Sequence, residues 1–162
     1  MRGKAIVYQR DHINTDEIIP ARYLNTDKEA ELAKHAMEDL DKEFLDKVKP
    51  DSWLVAGSDF GCGSSREHAV WALRGAGVQG VIASSFARIF FRNAINNGFP
   101  VVMIEDIADK VEDNDILEVD LQKGILKDLT KDEDFTFSPY SDFIREVIDA
   151  DGLMNYITRE EL

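Results

Sequence analysis

Trp53-Leu54-Val55-Ala56, Val78-Gln79-Gly80-Val81-Ile82-Ala83 and Pro100-Val101-Val102-Met103-Ile104 are three short apolar runs set off by turn residues. Runs of this length, rich in Val and Ile, read as fully buried strands. A small-residue loop (57–65) and a helix (66–74, stopped by Gly75 and Gly77) separate the first two. A helix over 86–96, closed by Asn97-Gly98, separates the second from the third. Strand–helix–strand–helix–strand is a βαβαβ unit, which places the chain in the α/β class with a parallel sheet at its centre.

The flanks add elements around this unit. Residues 3–8 predict a first strand, followed by the polar turn Asp11-His12-Ile13-Asn14-Thr15-Asp16. Thr26-Asp27-Lys28-Glu29 has the capping-box pattern with Thr26 as N-cap, and Leu32, Ala36, Met37, Leu40 and Phe44 recur at helical spacing. A helix over 27–45 is therefore expected. Towards the end, Leu117, Val119 and Leu121 alternate with Glu118 and Asp120, a half-exposed strand. Gln122-Lys123-Gly124 turns into a further strand at 125–129, and 135–137 adds another. A helix over 141–150 should bury Phe143, Ile144, Val147 and Ile148 and end at Gly152. With no internal repeat or low-complexity linker, residues 1–162 read as one domain.

Composition excludes several function classes. The 162 residues carry 19 Lys+Arg against 32 Asp+Glu, a net charge of −13. That argues against a nucleic-acid binder, which neutralises phosphates with basic side chains, and against a basic membrane-surface helix. A hydrophobic content of 44% argues against general disorder. No apolar stretch is long enough to span a bilayer, and Met1-Arg2-Gly3-Lys4 leads into a strand rather than a signal peptide. A cytoplasmic globular domain is expected.

The charge is unevenly spread. Residues 1–50 carry 9 basic and 11 acidic side chains, and residues 101–162 carry 6 and 18. Residues 51–100 hold only Asp51, Asp59 and Glu67 against Arg66, Arg74, Arg88 and Arg92, with no lysine. Arginine's planar fork grips carboxylate or phosphate through paired hydrogen bonds. A small anionic ligand is the first expectation for this block, although Arg74 reads as a helix-surface residue.

Gly61-Cys62-Gly63-Ser64-Ser65-Arg66-Glu67-His68 lies between a buried strand and a helix. Ligands of α/β sheets bind beyond the carboxyl ends of strands, where helix N-termini offer free N–H groups. Gly61 and Gly63 allow close backbone approach, Ser64 and Ser65 add hydroxyls, and Arg66 adds fixed charge. The segment is not a dinucleotide fingerprint, because Arg66 stands where the third glycine belongs. It is not a Walker loop, having no lysine, nor a hydrolase elbow, since Cys62 and Arg66 flank Ser64. Ser64-x-x-Glu67 also has a capping-box spacing, so Ser64 could serve as a helix cap. One cap does not require two glycines, a second serine and an arginine. The single Cys62 excludes an intrachain disulfide and cannot alone hold an iron–sulfur cluster. No base is indicated for it as a nucleophile. His12, His35 and His68 are scattered without ligand spacing, so no metal site is expected.

At these residues the chain resembles the aconitase swivel-domain family. The resemblance rests on Asp59-Phe60-Gly61-Cys62-Gly63-Ser64-Ser65-Arg66-Glu67-His68-Ala69, on Asn14-Thr15-Asp16-Glu17-Ile18-Ile19-Pro20, and on Ser85-Phe86-Ala87-Arg88-Ile89-Phe90-Phe91-Arg92-Asn93-Ala94. It extends to Gly152-Leu153-Met154-Asn155-Tyr156, and so covers nearly the whole chain. Free-standing members are small subunits of 3-isopropylmalate dehydratase and related hydro-lyases, and the resemblance implies the swivelling-domain β/β/α architecture. It implies a large-subunit partner, in a heterodimer or heterotetramer, that holds a [4Fe–4S] cluster while this chain holds no cofactor. Ser64 would be the base removing a proton next to a carboxylate. Gly63, Ser65 and Arg66 would bind the small dicarboxylate substrate. Thr15, Asp16, His68, Arg88, Arg92 and Asn93 would support the site or the interface. A serine base needs positive potential, expected from Arg66 and the N-terminus of the 66–74 helix. Isolated small subunits would self-associate through the surface meant for the partner.

In the resembling families the loop after Ile-Ile-Pro reads the group on the substrate γ-carbon. Here it is Arg22-Tyr23-Leu24-Asn25-Thr26. Homoaconitase-like members carry arginine in the place of Asn25, to clamp a third carboxylate. Its absence leans towards an apolar branch, as in isopropylmalate and leucine biosynthesis, although Arg22 stands close by. Homocitrate-, citraconate- and dimethylmalate-type substrates stay open, as does a non-catalytic anion-binding module.

Overall fold

The computed structural model describes residues 1–64 and 66–160. Seven strands form one sheet in the order β4-β3-β2-β1-β5-β6-β7: β1 Arg2–Val7, β2 Ser52–Ala56, β3 Val78–Ala83, β4 Val101–Met103, β5 Ile116–Asp120, β6 Ile125–Asp128 and β7 Glu133–Thr136. Strands β1 to β4 are parallel and β5 to β7 add an antiparallel extension. The βαβαβ expectation holds, with α4 His68–Ala76 joining β2 to β3 and α5 Arg88–Asn96 joining β3 to β4. The other helices are α1 Thr15–Ile18, α2 Glu29–Ala33, α3 Phe44–Lys47, α6 Asp142–Asp149 and α7 Leu153–Glu160.

Every residue of β2 is buried, so its alternate side chains feed two cores. Leu54 and Ala56 pack with Val81, Ala83 and Val101 against helix residues such as Leu32, Val70, Leu73 and Phe90. Trp53 and Val55 pack on the other face with Ile82, Val102, Leu117, Val119 and Leu126. The antiparallel extension thus curls beneath the parallel half, giving helix, sheet and sheet layers. Alternation along β5 is as expected, with Leu117 and Val119 inward.

Four expectations need correction. The helix over 27–45 is broken into α2, a run of turns and α3. Met37 takes φ 59° and turns its N–H to Ile18 O at 2.8 Å, leaving the helical ladder for a tertiary bond. Its apolar residues Leu32, Ala36, Met37 and Phe44 are still buried, which is why the spacing looked helical. Thr26 does not cap α2. Its Oγ1 accepts from Lys28 N at 3.2 Å, and Glu29 turns outward to pair with Arg74. The helix after the glycine loop starts at His68, not 66, and Ser64 does not cap it. Phe143 is 51% exposed, its ring edge-on to Tyr156 of α7, a helix not foreseen because Gly152 reads as a stop. Ser141 does cap α6, its side chain accepting from Ile144 N.

Candidate active site

The carboxyl ends of β1, β2 and β3 deliver three loops to one edge of the sheet, and these carry the three widely separated motifs. The β1 and β2 loops are stitched by backbone bonds from Gly61 N to Ile13 O (2.8 Å), Thr15 N to Cys62 O (2.9 Å) and Gly57 N to Arg10 O (3.0 Å). The β2 and β3 loops are stitched from Phe60 N to Ser85 O (3.1 Å) and Ala87 N to Phe60 O (3.0 Å). Gly61 holds φ 84°, and a Cβ there would stand 2.3 Å from Phe90 Cγ. Only glycine lets the chain pass over that ring.

Asn14 starts α1 with a full capping box. Its side chain accepts from Glu17 N at 2.9 Å, and Glu17 Oε1 accepts from Asn14 N at 3.2 Å. This fixes Thr15, which is 2% exposed, so that its Oγ1 accepts from Ser64 N at 3.2 Å. Gly63 reaches this position at φ 103°, with space for a Cβ closed to 3.2 Å by the same Oγ1. Ser64 is exposed, and no described residue hydrogen-bonds its hydroxyl. Arg66 Nη1 pairs with Asp16 Oδ1 at 2.9 Å, with side-chain exposures of 27% and 65%. Thr15, Asp16, Gly63, Ser64 and Arg66 are therefore one constellation. Ser65 lies outside the described residues.

Other candidates fall elsewhere. His68 opens α4, its Nε2 3.5 Å from Asp27 and its ring 5.0 Å from that of Trp71. Arg74 pairs with Glu29 and donates to Asn97 O at 2.6 Å, tying α4 to α2 and to the end of α5. Arg88 and Arg92 share the outer face of α5 and line a groove of about 400 Å³ with Phe91, Ile95 and Ile144. Asn93 accepts from the Asn97 side chain through its carbonyl at 2.8 Å. None of these three makes a described bond to the serine loop. A cavity of about 520 Å³ beside Met1, Asp51, Phe99 and Asp149 also lies away from that loop. Gly63 and Ser64 are exposed, so the described part of the cradle faces solvent.

The loop at 22–26 is only partly free. Arg22 pairs with Glu38 at 2.9 Å and Asp39 at 2.8 Å and lies over the Tyr23 ring, which stacks on His35. The Arg22 fork draws the Asp39 carboxyl below its ordinary range, and a hydrogen bond from Tyr23 does the same for Glu38. Leu24 packs on the helix-side core, Thr26 is half-buried, and Asn25 is exposed. Since the turns at 34–40 bring Glu38 and Asp39 here, no motif around Arg22 could reveal that its charge is engaged.

One cluster was missed. His12, Asp59 and Cys62 meet beside the cradle, with His12 Nδ1 2.9 Å from Asp59 Oδ2. Both His12 and Asp59 hold positive φ, 56° and 57°. They lie 47 residues apart, and only the pairing of the two loops joins them.

Comparison with known proteins gives the lineage. The family model described as Aconitase C-terminal domain matches residues 1–106. The 3-isopropylmalate dehydratase small subunit of Caldicellulosiruptor saccharolyticus is 56% identical, covering 98% of this chain and 91% of the relative. That of Caldanaerobacter subterraneus is 52% identical, covering 97% of both. A crystal structure of 3-isopropylmalate dehydratase from Methanocaldococcus jannaschii superimposes with a TM-score of 0.91 at 42% identity, over 99% of this chain and 94% of that one. With a model matching most of its length and relatives matching nearly all of it, the chain belongs to the aconitase C-terminal domain family, among its free-standing small subunits.

Proposed function

We propose that this chain is the small subunit of a two-subunit hydro-lyase that interconverts 2- and 3-isopropylmalate by dehydration and rehydration in leucine biosynthesis. The observation that carries the reading is the Thr15–Ser64–Arg66–Asp16 constellation on an open edge of the sheet, in a chain over half identical to small subunits of that name. An open cradle suits a site completed by a second subunit.

A [4Fe–4S] cluster does not fit this chain, whose single thiol falls short of the several thiolates required. The cluster is assigned to the large subunit, where it would bind substrate oxygen and assist loss of hydroxide. Ser64, as an alkoxide whose own proton has passed to solvent, accepts the proton from the substrate carbon next to a carboxylate, and the C–H electron pair becomes the new double bond as hydroxide departs. Arg66 commits one nitrogen to Asp16 and keeps its other N–H groups for a substrate carboxylate. Asp16 aims the fork and also dilutes its charge. Because α4 begins four residues beyond Ser64, its first-turn N–H groups support Ser64 less than a helix starting at 66 would. Ser65 would join Arg66 on the carboxylate.

Arg22, engaged by Glu38 and Asp39, is not available for a third substrate carboxylate, which favours the isopropyl branch over homocitrate. The test mixes the chain with a cluster-loaded large subunit and follows absorbance of the unsaturated acid with isopropylmalate, citramalate, homocitrate and dimethylmalate. Activity is expected in the mixture alone and highest with isopropylmalate. Formation of a complex without activity on any of the four would overturn the reading.

A further inference from the structure

His12 comes from the loop after β1, and Asp59 and Cys62 from the loop after β2. One ligand atom from each, an imidazole nitrogen, a carboxylate oxygen and Cys62 Sγ, lies within 4.8 Å of the other two. The His12 and Asp59 side chains are 72% and 41% exposed and Cys62 is half-buried, so solution reaches the cluster. None of the three belongs to the Thr15–Ser64–Arg66–Asp16 set.

We propose that His12, Asp59 and Cys62 form a three-ligand site for a divalent transition-metal ion of the zinc type, with a fourth position open to water. A nitrogen, oxygen and sulfur donor set suits a borderline-soft ion and is wrong for magnesium or calcium, which take oxygen. Tetrahedral ligands at ordinary zinc bond lengths stand ~3.5 Å apart, so donors already within 4.8 Å close on an ion by side-chain rotation. On binding, the ion replaces the proton of Cys62, which is released to solvent, and the sulfur coordinates as thiolate. The bound ion would clip the two loops together two residues upstream of Ser64. This site does not depend on the catalytic reading.

The test is a cobalt(II) titration of the tag-free full chain, followed by zinc competition. A near-ultraviolet thiolate-to-cobalt band should rise to one equivalent and be discharged by zinc. Cys62→Ser should abolish it and His12→Asn should weaken binding; asparagine tolerates the positive φ at position 12, so that variant is expected to fold. Ser64→Ala should titrate as the unaltered chain does. Zinc should also slow alkylation of Cys62 by at least ~10-fold, since the free thiolate is the reactive species. Absence of the band, a band retained in Cys62→Ser, or alkylation unaffected by zinc would each overturn the proposal.

Discussion

The buried Thr15 hydroxyl accepts a hydrogen bond from the Ser64 backbone amide at 3.2 Å, joining residues 49 apart in sequence. This bond fixes the serine backbone while leaving its side chain exposed. Thr15→Val keeps the shape but leaves the Ser64 amide without that acceptor. We expect a stability loss of ~1–3 kcal/mol, read from denaturant midpoints, and a fall in kcat of the reconstituted enzyme. Thr15→Ser should restore most of both. Equal loss in the two variants would mean that methyl packing, not the hydroxyl, holds the loop.

Gly61→Ala should be more damaging than Gly63→Ala. Both glycines have positive φ, but the new methyl at 61 runs into Phe90, whereas at 63 it meets only Thr15 Oγ1 at 3.2 Å. Strain and overpacking together predict a loss of ~3 kcal/mol or more at 61 and roughly 1–2 kcal/mol at 63. Thermal melts of the two variants check the order.

A pH effect arises far from the cradle, in β6. Asp128 is 1% exposed, and burial together with the adjacent Asp115 carboxyl pushes its pKa up from 3.8 to about 6. Backbone N–H bonds from Thr130 and Lys131 offset this in part, and Lys131 Nζ stands 3.7 Å from Asp115. The folded state holds this proton more tightly than the unfolded state. The contribution to stability is therefore full below pH ~4, declines as pH rises to ~6, and stays low above it. Asp128→Asn keeps the shape and removes the charge. It should raise the melting temperature at pH 7 and 8, with little change at pH 4. A uniform shift across pH would contradict the carboxyl pair.

Specificity should respond at position 25. Asn25 is exposed on the loop after Pro20, while neighbouring Arg22 is held by two carboxylates. Asn25→Arg should raise kcat/KM for homocitrate-type acids relative to isopropylmalate by ~10-fold or more, one charge-assisted pair being worth a factor of this size. An unchanged ratio would remove this loop from substrate reading.

The parts of the fold visible in sequence are those whose local pattern and burial agree. Val78–Ala83 is apolar apart from Gln79 because both sheet faces are covered along most of it, and Gly77 at φ 112° marks the helix end before it. Two of the failures share one cause, a tertiary bond overriding a local preference. Met37 abandons a helix for Ile18 O, and Glu29 abandons a capping box for Arg74. Ser64 is held through its backbone amide by Thr15 and stands too far from α4, which starts at His68, to cap it. For the proposed site, motif and loop position point to Ser64 and Arg66, but the engagement of Arg66 by Asp16 and of Arg22 by Glu38 and Asp39 depends on loop pairing that no spacing reveals. The meeting of His12, Asp59 and Cys62 was illegible for the same reason.

The central claim is that Ser64 acts on the substrate proton. Its most direct test is the turnover of isopropylmalate by large subunit reconstituted with Ser64→Ala, alongside a size-exclusion measurement of complex formation. The account predicts an intact complex and a fall in kcat of ~10²–10³-fold or more, with a much smaller change in KM. An intact complex that turns over at the unaltered rate would contradict it.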